Sequence, residues 1–165
     1  MKKANTKPTP RYESECLNWS CGEITLKYEI KERPSVQILS PDDLYNFILR
    51  TIDIDELQVQ EHFLAFYFDR QFNLIGYKTI STGSTIAITV DLKQILSVGL
   101  ILNAQTIMVA HNHPSNNLNP SYSDIELTKK LVAAADNCSM SVSDHLIITK
   151  YKFLSMCTEG LVKFY

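Results

Sequence analysis

Two histidines separated by one residue are the feature of this chain that most directly suggests chemistry. His111-Asn112-His113 follows the apolar run 107–110, which predicts the end of a buried strand. Residues i and i+2 of a strand point to the same face, so both imidazoles can reach one metal ion while Asn112 points away. The carboxylate of Asp124, eleven residues after His113, can supply a third ligand. Three protein ligands with one open position are the arrangement of a catalytic zinc ion, not of a structural one.

Asp124 also has a simpler explanation. Ser121-x-x-Asp124 has the spacing of a capping box, in which a serine at the start of a helix and an acid three residues later exchange hydrogen bonds. That spacing alone favours helix capping over metal binding, and the neighbouring pair of histidines shifts the balance towards a metal site. Other zinc signatures do not occur in the sequence, which has no HExxH helix and no HxE…PCxxC pattern.

Strands and helices alternate along the chain without a strict βαβ order. This predicts an α/β fold with a mixed β-sheet and flanking helices. Ser40, followed by Pro41 and two acids, is typical of a helix start, and Asp91 has the type and position of an N-cap. We expect residues 1–20 to be a flexible tail. The predicted strands lie at 23–31, 36–39, 63–68, 74–80, 86–88, 106–110 and 142–149, with a turn at 81–84, helices at 40–51, 91–102 and 121–136, and short final elements at 153–164.

The composition predicts one globular, cytoplasmic domain. The chain has 165 residues, and none of its apolar runs approaches the roughly eighteen residues that a membrane span needs. A net charge of −2 gives direct nucleic-acid binding no support from charge. The four cysteines form no CxxC pair and are expected to be free thiols, with Cys138 and Cys157 as candidates for the core.

The residues around the two histidines resemble a known metalloprotease motif. His111-x-His113-Pro114 with Ser121-x-x-Asp124 is similar to the JAMM (MPN+) motif of JAB-domain metalloproteases, and the longer runs 111–115 and 120–125 resemble the bacterial RadC-like branch more closely. Further short runs that match are Glu61-His62-Phe63, Phe68-Asp69, Ile80-Ser81-Thr82-Gly83, Asn103-Ala104 and Asp144-His145-Leu146-Ile147-Ile148. The resemblance covers about residues 50–161. It implies a JAB/MPN (cytidine-deaminase-like) fold at 53–165, preceded by an N-terminal strand and helix extension at 21–52.

The resemblance also implies a role for each site residue. The positions that match the family's zinc ligands are His111, His113 and Asp124. Glu61 matches an upstream glutamate that acts as general base, with Glu56 as a competitor, and Ser121 matches a serine that stabilises the oxyanion. Without the resemblance, Glu61 would be an ordinary surface acid. The implied activity is zinc-dependent hydrolysis of an amide or isopeptide bond in a peptide or protein substrate.

Two alternatives stay open, and the chain departs from the family in two places. One alternative is a binding module associated with DNA repair whose metal is not catalytic, and the other is an inactive scaffold, against which the complete ligand set argues. Residues 1–50 show no helix-hairpin-helix segment, and Val90-Asp91-Leu92-Lys93 stands where the branch commonly has an Arg-Glu pair. His145 could support a zinc ligand, although a hydrogen-bonded core histidine is the more ordinary explanation, and His62 is expected only to pack.

Overall fold

The structure is a computed structural model that describes residues 36–53, 56–83 and 90–164, with residue 56 described by its backbone alone. The predicted tail 1–20, the predicted strands 23–31 and 86–88 and the first part of the extension, 21–35, lie outside the described residues. None of the described helices is long and apolar enough to cross a membrane.

Within the described residues, five strands form one mixed sheet and three α-helices accompany it. The strands are β1 (Glu61–Phe68), β2 (Leu74–Gly83), β3 (Thr106–Asn112), β4 (Ser141–Ile148) and β5 (Phe153–Ser155). The helices are α1 (Pro41–Thr51), α2 (Leu92–Ile101) and α3 (Tyr122–Asp136), with a short 3-10 helix at Glu56–Gln58. The order across the sheet is β2-β1-β3-β4-β5, and β3 and β4 form its parallel pair. The predicted α/β class, a mixed sheet with flanking helices, is confirmed.

The starts of α1 and α2 follow from their first residues. Ser40 caps α1, because its hydroxyl accepts a hydrogen bond from the Asp43 amide at 3.1 Å, and Pro41 occupies the first helical position, where no amide hydrogen is needed. Asp91 caps α2 by accepting a hydrogen bond from the Lys93 amide at 2.9 Å. Both helix starts were predicted correctly.

The sheet is covered on both faces. Alternate residues of β1 divide between two apolar clusters, which accounts for its uninterrupted apolar sequence. The cluster shared with α2 and α3 contains Phe63, Ala65 and Tyr67, and the cluster shared with α1 contains Leu64, Phe66 and Phe68.

Strand β3 carries the first histidine. It extends two residues beyond the predicted 106–110, because it stays paired with β1 as far as His111 and with β4 as far as Asn112. Val109 belongs to the cluster beside α3 and Ala110 to the cluster beside α1, so His111 faces α3 and Asn112 faces the opposite side. The chain then returns through residues 113–121, and α3 forms the crossover to the parallel strand β4.

The turn predicted at 81–84 is wrong for residues 81–83, and residue 84 lies outside the described residues. Residues 81–83 belong to β2 and pair with residues 61–63 of β1. The register shifts where Phe63 is followed by Leu64, and Ile80 is the extra residue on β2. The polar, small residues after Ile80 favoured a turn, but pairing with β1 outweighs that local preference.

Smaller corrections concern single segments. The predicted strand 36–39 is reduced to one bridge, between Gln37 and Asn73. Strand β1 begins at Glu61, two residues before the predicted start. Cys138 is half-buried against the cluster beside α3, whereas Cys157 is exposed, so its expected place in the core is wrong.

Candidate metal centre

The two histidines meet at the end of β3, as their spacing predicts. His111 is buried, with 1% of its side chain exposed, and His113 follows the strand with 18% exposed. Their Nε2 atoms lie 2.9 Å apart. Two ligands of one tetrahedral zinc ion have donor atoms about 3.3 Å apart, so the pair is already arranged almost as a shared ion requires.

Asp124 lies beside both imidazoles. Its Oδ1 is 3.6 Å from His111 Nε2, and its Oδ2 is 3.8 Å from His113 Nε2. The two distances involve different oxygens of the carboxylate, and each is within about 0.5 Å of the roughly 3.3 Å expected between ligands of one tetrahedral ion. The structure therefore brings together the three residues that the sequence pattern selected.

The capping explanation for Asp124 holds as well. The Ser121 hydroxyl accepts a hydrogen bond from the Asp124 amide at 3.2 Å, and Asp124 Oδ2 accepts one from the Ser121 amide at 2.7 Å, which completes a capping box. The Ser121 hydroxyl also donates to Oδ2 at 2.6 Å. One carboxylate therefore starts α3 with Oδ2 and presents Oδ1 to His111. The two readings of Ser121-x-x-Asp124 are compatible.

These contacts hold the Asp124 carboxyl in its ionised form. Burial acts to raise the pKa of Asp124, but interaction with His111 and the hydrogen bonds from Ser121 outweigh it and bring the pKa well below its ordinary value. A carboxylate in this state is ready to bind a cation without first losing a proton.

Glu61 joins the site from the neighbouring strand. It is half-buried at the start of β1, and a carboxylate oxygen of Glu61 and a ring nitrogen of each histidine all lie within 4.8 Å of one another. Continuing the antiparallel register beyond Phe63 and His111 sets Glu61 across from His113. The structure thus places Glu61 at the centre, while nothing is described of the side chain of its competitor Glu56.

A chain of hydrogen bonds fixes which nitrogen of His111 carries the proton. Thr128 Oγ1 lies 2.6 Å from the Asp124 carbonyl oxygen, to which it must donate its only proton, and 2.6 Å from His145 Nδ1. His145 Nδ1 is therefore the donor to Thr128. Complete burial lowers the pKa of His145 well below its ordinary value, so this ring is neutral and its Nε2 is an acceptor. His111 Nδ1, 2.7 Å away, donates to it.

The second histidine is fixed in the same way. His113 Nδ1 lies 2.6 Å from the carbonyl oxygen of Asn117, which can only accept, so His113 also holds its proton on Nδ1. These bonds leave Nε2 of each ring as the nitrogen that can bind a metal, and the two Nε2 atoms face each other across 2.9 Å. Imidazole and carboxylate donors suit zinc. The residues present fit a zinc ion.

A cavity of about 620 Å³ lies at the opposite end of β3 from the histidines. Its lining includes Arg70, Thr106 and Asp136 and contains none of the residues of the metal centre. Neither histidine nor cysteine lines it, so the groups suited to metal chemistry are at the other end of the strand.

Two residues of the site were not identified from the sequence. Thr128 supports His145 from α3, and Asn112, predicted only to point away from the metal, makes three hydrogen bonds with the chain around Glu61. Asn112 could have been noticed because it lies between two candidate ligands at the end of a predicted buried strand. Thr128 could not, because its contact with His145 depends on how α3 packs on β4, which residue spacing along the chain does not reveal.

Comparison with known proteins agrees with this geometry. The family model described as the RadC-like JAB domain matches residues 38–161. A UPF0758 protein of Fusobacterium nucleatum is 32% identical over 144 residues, which are 84% of this chain and 61% of that protein. UPF0758 proteins of Desulforamulus reducens and Methanosarcina mazei are 33% and 30% identical over 128 and 132 residues, 77% and 80% of this chain.

This chain spans only part of its relatives, between 55% and 61% of the length of these three proteins. The matched region includes every residue of the metal centre, from Glu61 to His145. On the family match and the identities together, the chain belongs to the RadC-like JAB domain family.

Proposed function

We propose that this protein is a zinc-dependent hydrolase that cleaves an amide or isopeptide bond in a peptide or protein substrate. The observation that carries the proposal is the pair of Nε2 atoms facing each other across 2.9 Å, with Asp124 beside them. His111, His113 and Asp124 would hold the ion and leave its fourth position open. A zinc ion bound there supplies a Lewis acid that lowers the pKa of water to about 7 and polarises a carbonyl.

Glu61 would move the proton in this reaction. Its carboxylate lies within 4.8 Å of the imidazole nitrogens, and it is half-buried, so water and substrate can reach it. It would accept a proton from the attacking water and deliver it to the leaving amine. Asp124 is less suited to that task, because its carboxylate is occupied by the helix cap and by the histidines.

Ser121 would stabilise the oxyanion that develops on the substrate carbonyl. Its hydroxyl has a single proton, which in this structure is donated to Asp124 Oδ2 at 2.6 Å. The role in catalysis therefore requires that the proton turn from Asp124 to the oxyanion. Asp124 Oδ2 keeps its hydrogen bond from the Ser121 amide during that exchange, so α3 stays capped.

The test compares wild type with Glu61→Gln. Each zinc-loaded protein is incubated with a peptide library, and new amino termini are counted by mass spectrometry. We expect wild type to cleave and Glu61→Gln to bind zinc as wild type does while losing at least about 100-fold in rate, which is the usual contribution of a general base. Equal cleavage by both proteins, or no cleavage by zinc-loaded wild type, would contradict the proposal.

A second candidate is a binding module whose metal is structural. A carboxylate oxygen of Glu61 lies within 4.8 Å of a ring nitrogen of each histidine, so Glu61 could bind the ion as a fourth protein ligand. A site with four protein ligands is closed to water, which favours a structural metal. A DNA-repair association belongs to this candidate, and the net charge of −2 gives direct DNA contact no support. The two candidates differ in whether Glu61 binds the ion or faces its open position.

A further inference from the structure

The residue between the two histidines is tied to the strand that carries Glu61. Asn112 is fully buried on the face of the sheet opposite the metal centre. Its Oδ1 accepts a hydrogen bond from the His62 amide at 2.7 Å. Its Nδ2 donates to the carbonyl oxygens of Leu57 at 2.7 Å and Gln60 at 2.9 Å. All three partners are backbone groups, and two of them belong to the residues on either side of Glu61.

These three bonds replace sheet pairing at the point where it ends. Regular pairing between β1 and β3 ends at Phe63 and His111, and the next pair in the same register would be His62 with Asn112. The Asn112 side chain, not its backbone, receives the His62 amide there. The chain entering β1 is thereby held to the end of β3 where regular pairing alone would let the two strands separate.

We propose that Asn112 is a positioning residue that fixes the Glu61 carboxylate relative to the metal ligands. The inference rests on the proposed role of Glu61 as general base. Because side chains alternate along a strand, residues 111–113 present both histidines on one face and Asn112 on the other. We call the three hydrogen bonds of Asn112 the Asn112 clamp. Glu61 is on the face of the histidines, and its backbone is held from behind by the residue between them.

A clamp of this kind matters because a general base acts only within hydrogen-bonding reach of the proton it takes, and a displacement of about 1 Å can cost about 100-fold in rate. None of the three hydrogen bonds of Asn112 involves a metal-ligating atom or an atom of Glu61. Its effect must therefore pass through the backbone of residues 60–62.

A purely structural role makes a different prediction. A buried amide that only satisfies three backbone groups would change stability when removed and leave the metal's surroundings as they were. The experiment must therefore read the environment of the ion, and it must show that the effect depends on Glu61. Thr106→Ala is the matched control, since Thr106 is also a buried polar residue of β3, bonded to Ser141 at the opposite end of the strand.

The first measurement needs no metal. Hydrogen exchange is followed at the His62 amide in metal-free wild type, Asn112→Ala and Thr106→Ala. Loss of the hydrogen bond is expected to speed exchange at His62 by about tenfold or more in Asn112→Ala alone, with residues 64–67 of β1 unchanged. Equal exchange at His62 in wild type and Asn112→Ala would overturn the clamp. If Asn112→Ala does not fold, Asn112→Ser, whose hydroxyl and added water can occupy the space, replaces it.

The second measurement uses Co²⁺ as the probe of the site. The pH midpoint of the visible absorption change is recorded for Co²⁺-loaded wild type, Asn112→Ala, Glu61→Gln and the double variant. We expect Asn112→Ala to retain Co²⁺ and to move the midpoint in the same direction as Glu61→Gln, with no further movement in the double variant and none in Thr106→Ala. An unmoved midpoint in Asn112→Ala, or the same movement with and without Glu61, would overturn the proposal.

Failure of the underlying function would look different. If wild type binds no Co²⁺, or if Glu61→Gln leaves the midpoint unmoved, then the general-base role is wrong and the positioning role falls with it. Hydrogen exchange at His62 would still record the clamp in that case. A missing clamp and a missing active site therefore give separate results.

Discussion

Each imidazole of the candidate metal centre has one nitrogen held by a hydrogen bond within the protein, and its other nitrogen is placed where it could bind an ion. His111 donates from Nδ1 to His145, and His113 donates from Nδ1 to the Asn117 carbonyl. The first acceptor is the more restrictive one, because His145 accepts only while it is neutral and while Thr128 receives its other proton. Two side chains, His145 and Thr128, therefore support His111, and the series of hydrogen bonds ends on the Asp124 carbonyl of α3.

Removing His145 is expected to weaken zinc binding. In His145→Phe the Nδ1 proton of His111 loses its acceptor, and the loss of such a partner typically costs about 10- to 100-fold in metal affinity. His145→Gln is the control, because its amide oxygen can still accept from His111, and we expect it to lose less. Competition with a chromophoric chelator measures both affinities. Equal affinities for wild type and His145→Phe would contradict the assignment.

The sequence predicted the site residues that lie close together along the chain, but not the one that strand pairing brings in from a distance. His111, His113, Ser121 and Asp124 lie within fourteen residues, so strand alternation and helix capping were enough to bring them together. Glu61 is fifty residues before His111 and is brought in by strand pairing, so only the family resemblance identified it.

Helix α3 is the element in which one carboxylate both caps the helix and lies at the candidate metal centre. Its capping box places Asp124 Oδ1 towards His111, and its next turn carries Thr128 beneath His145. A helix that began one residue earlier or later would turn the carboxylate away from the ion, since each residue rotates the helix by about 100°. The capping box therefore sets both where α3 starts and what Asp124 faces.

Ser121→Ala is expected to destabilise the metal-free protein. The substitution removes an N-cap, which costs about 1 kcal/mol in the free energy of unfolding. Lys130→Ala, at an exposed position further along the same helix, is the control and should change the free energy of unfolding by less than about 0.5 kcal/mol. Urea unfolding measures both. A Ser121→Ala variant as stable as Lys130→Ala would show that the capping box does not stabilise the helix.

The start of α1 predicts a pH dependence. Hydrogen bonds from the Ser40 hydroxyl and from the Leu39 and Ser40 backbone lower the pKa of Asp43 below its ordinary value of 3.8. Because the folded-state pKa is the lower one, the stabilisation is fully present above the unfolded value and is lost as the pH falls through the folded one. Asp43→Asn should therefore be less stable than wild type at pH 7, and the gap should narrow at pH 3. Urea midpoints measured at the two pH values check this, and an equal gap at both would contradict it.

At the scale of the whole molecule, the sheet is the device that gathers the site. Strand β1 supplies Glu61, the end of β3 supplies the histidines, and the crossover helix between the parallel strands supplies Asp124. The periodicity of apolar residues in the sequence, which gave strands and helices in alternation, predicted this α/β architecture and most of its elements. It did not predict the length of β2, because pairing with residues 61–63 decides where that strand ends.

A bound ion would tie the end of β3 to α3, so zinc should stabilise the fold. At a free zinc concentration of 100 times Kd, binding to the folded state alone adds about 2.7 kcal/mol to the free energy of unfolding. We expect zinc to raise the melting temperature of wild type, EDTA to reverse the rise, and His113→Ala to show neither effect. A rise of equal size in His113→Ala would place the ion elsewhere.

The most direct test is a crystal structure of the zinc-loaded protein with anomalous data collected at the zinc edge. We predict one peak bonded to His111, His113 and Asp124 at about 2.0–2.2 Å, with the Glu61 carboxylate unbonded and facing the fourth position. A peak that includes Glu61 as a bonded fourth protein ligand, or no peak between the two histidines, would contradict a catalytic zinc centre.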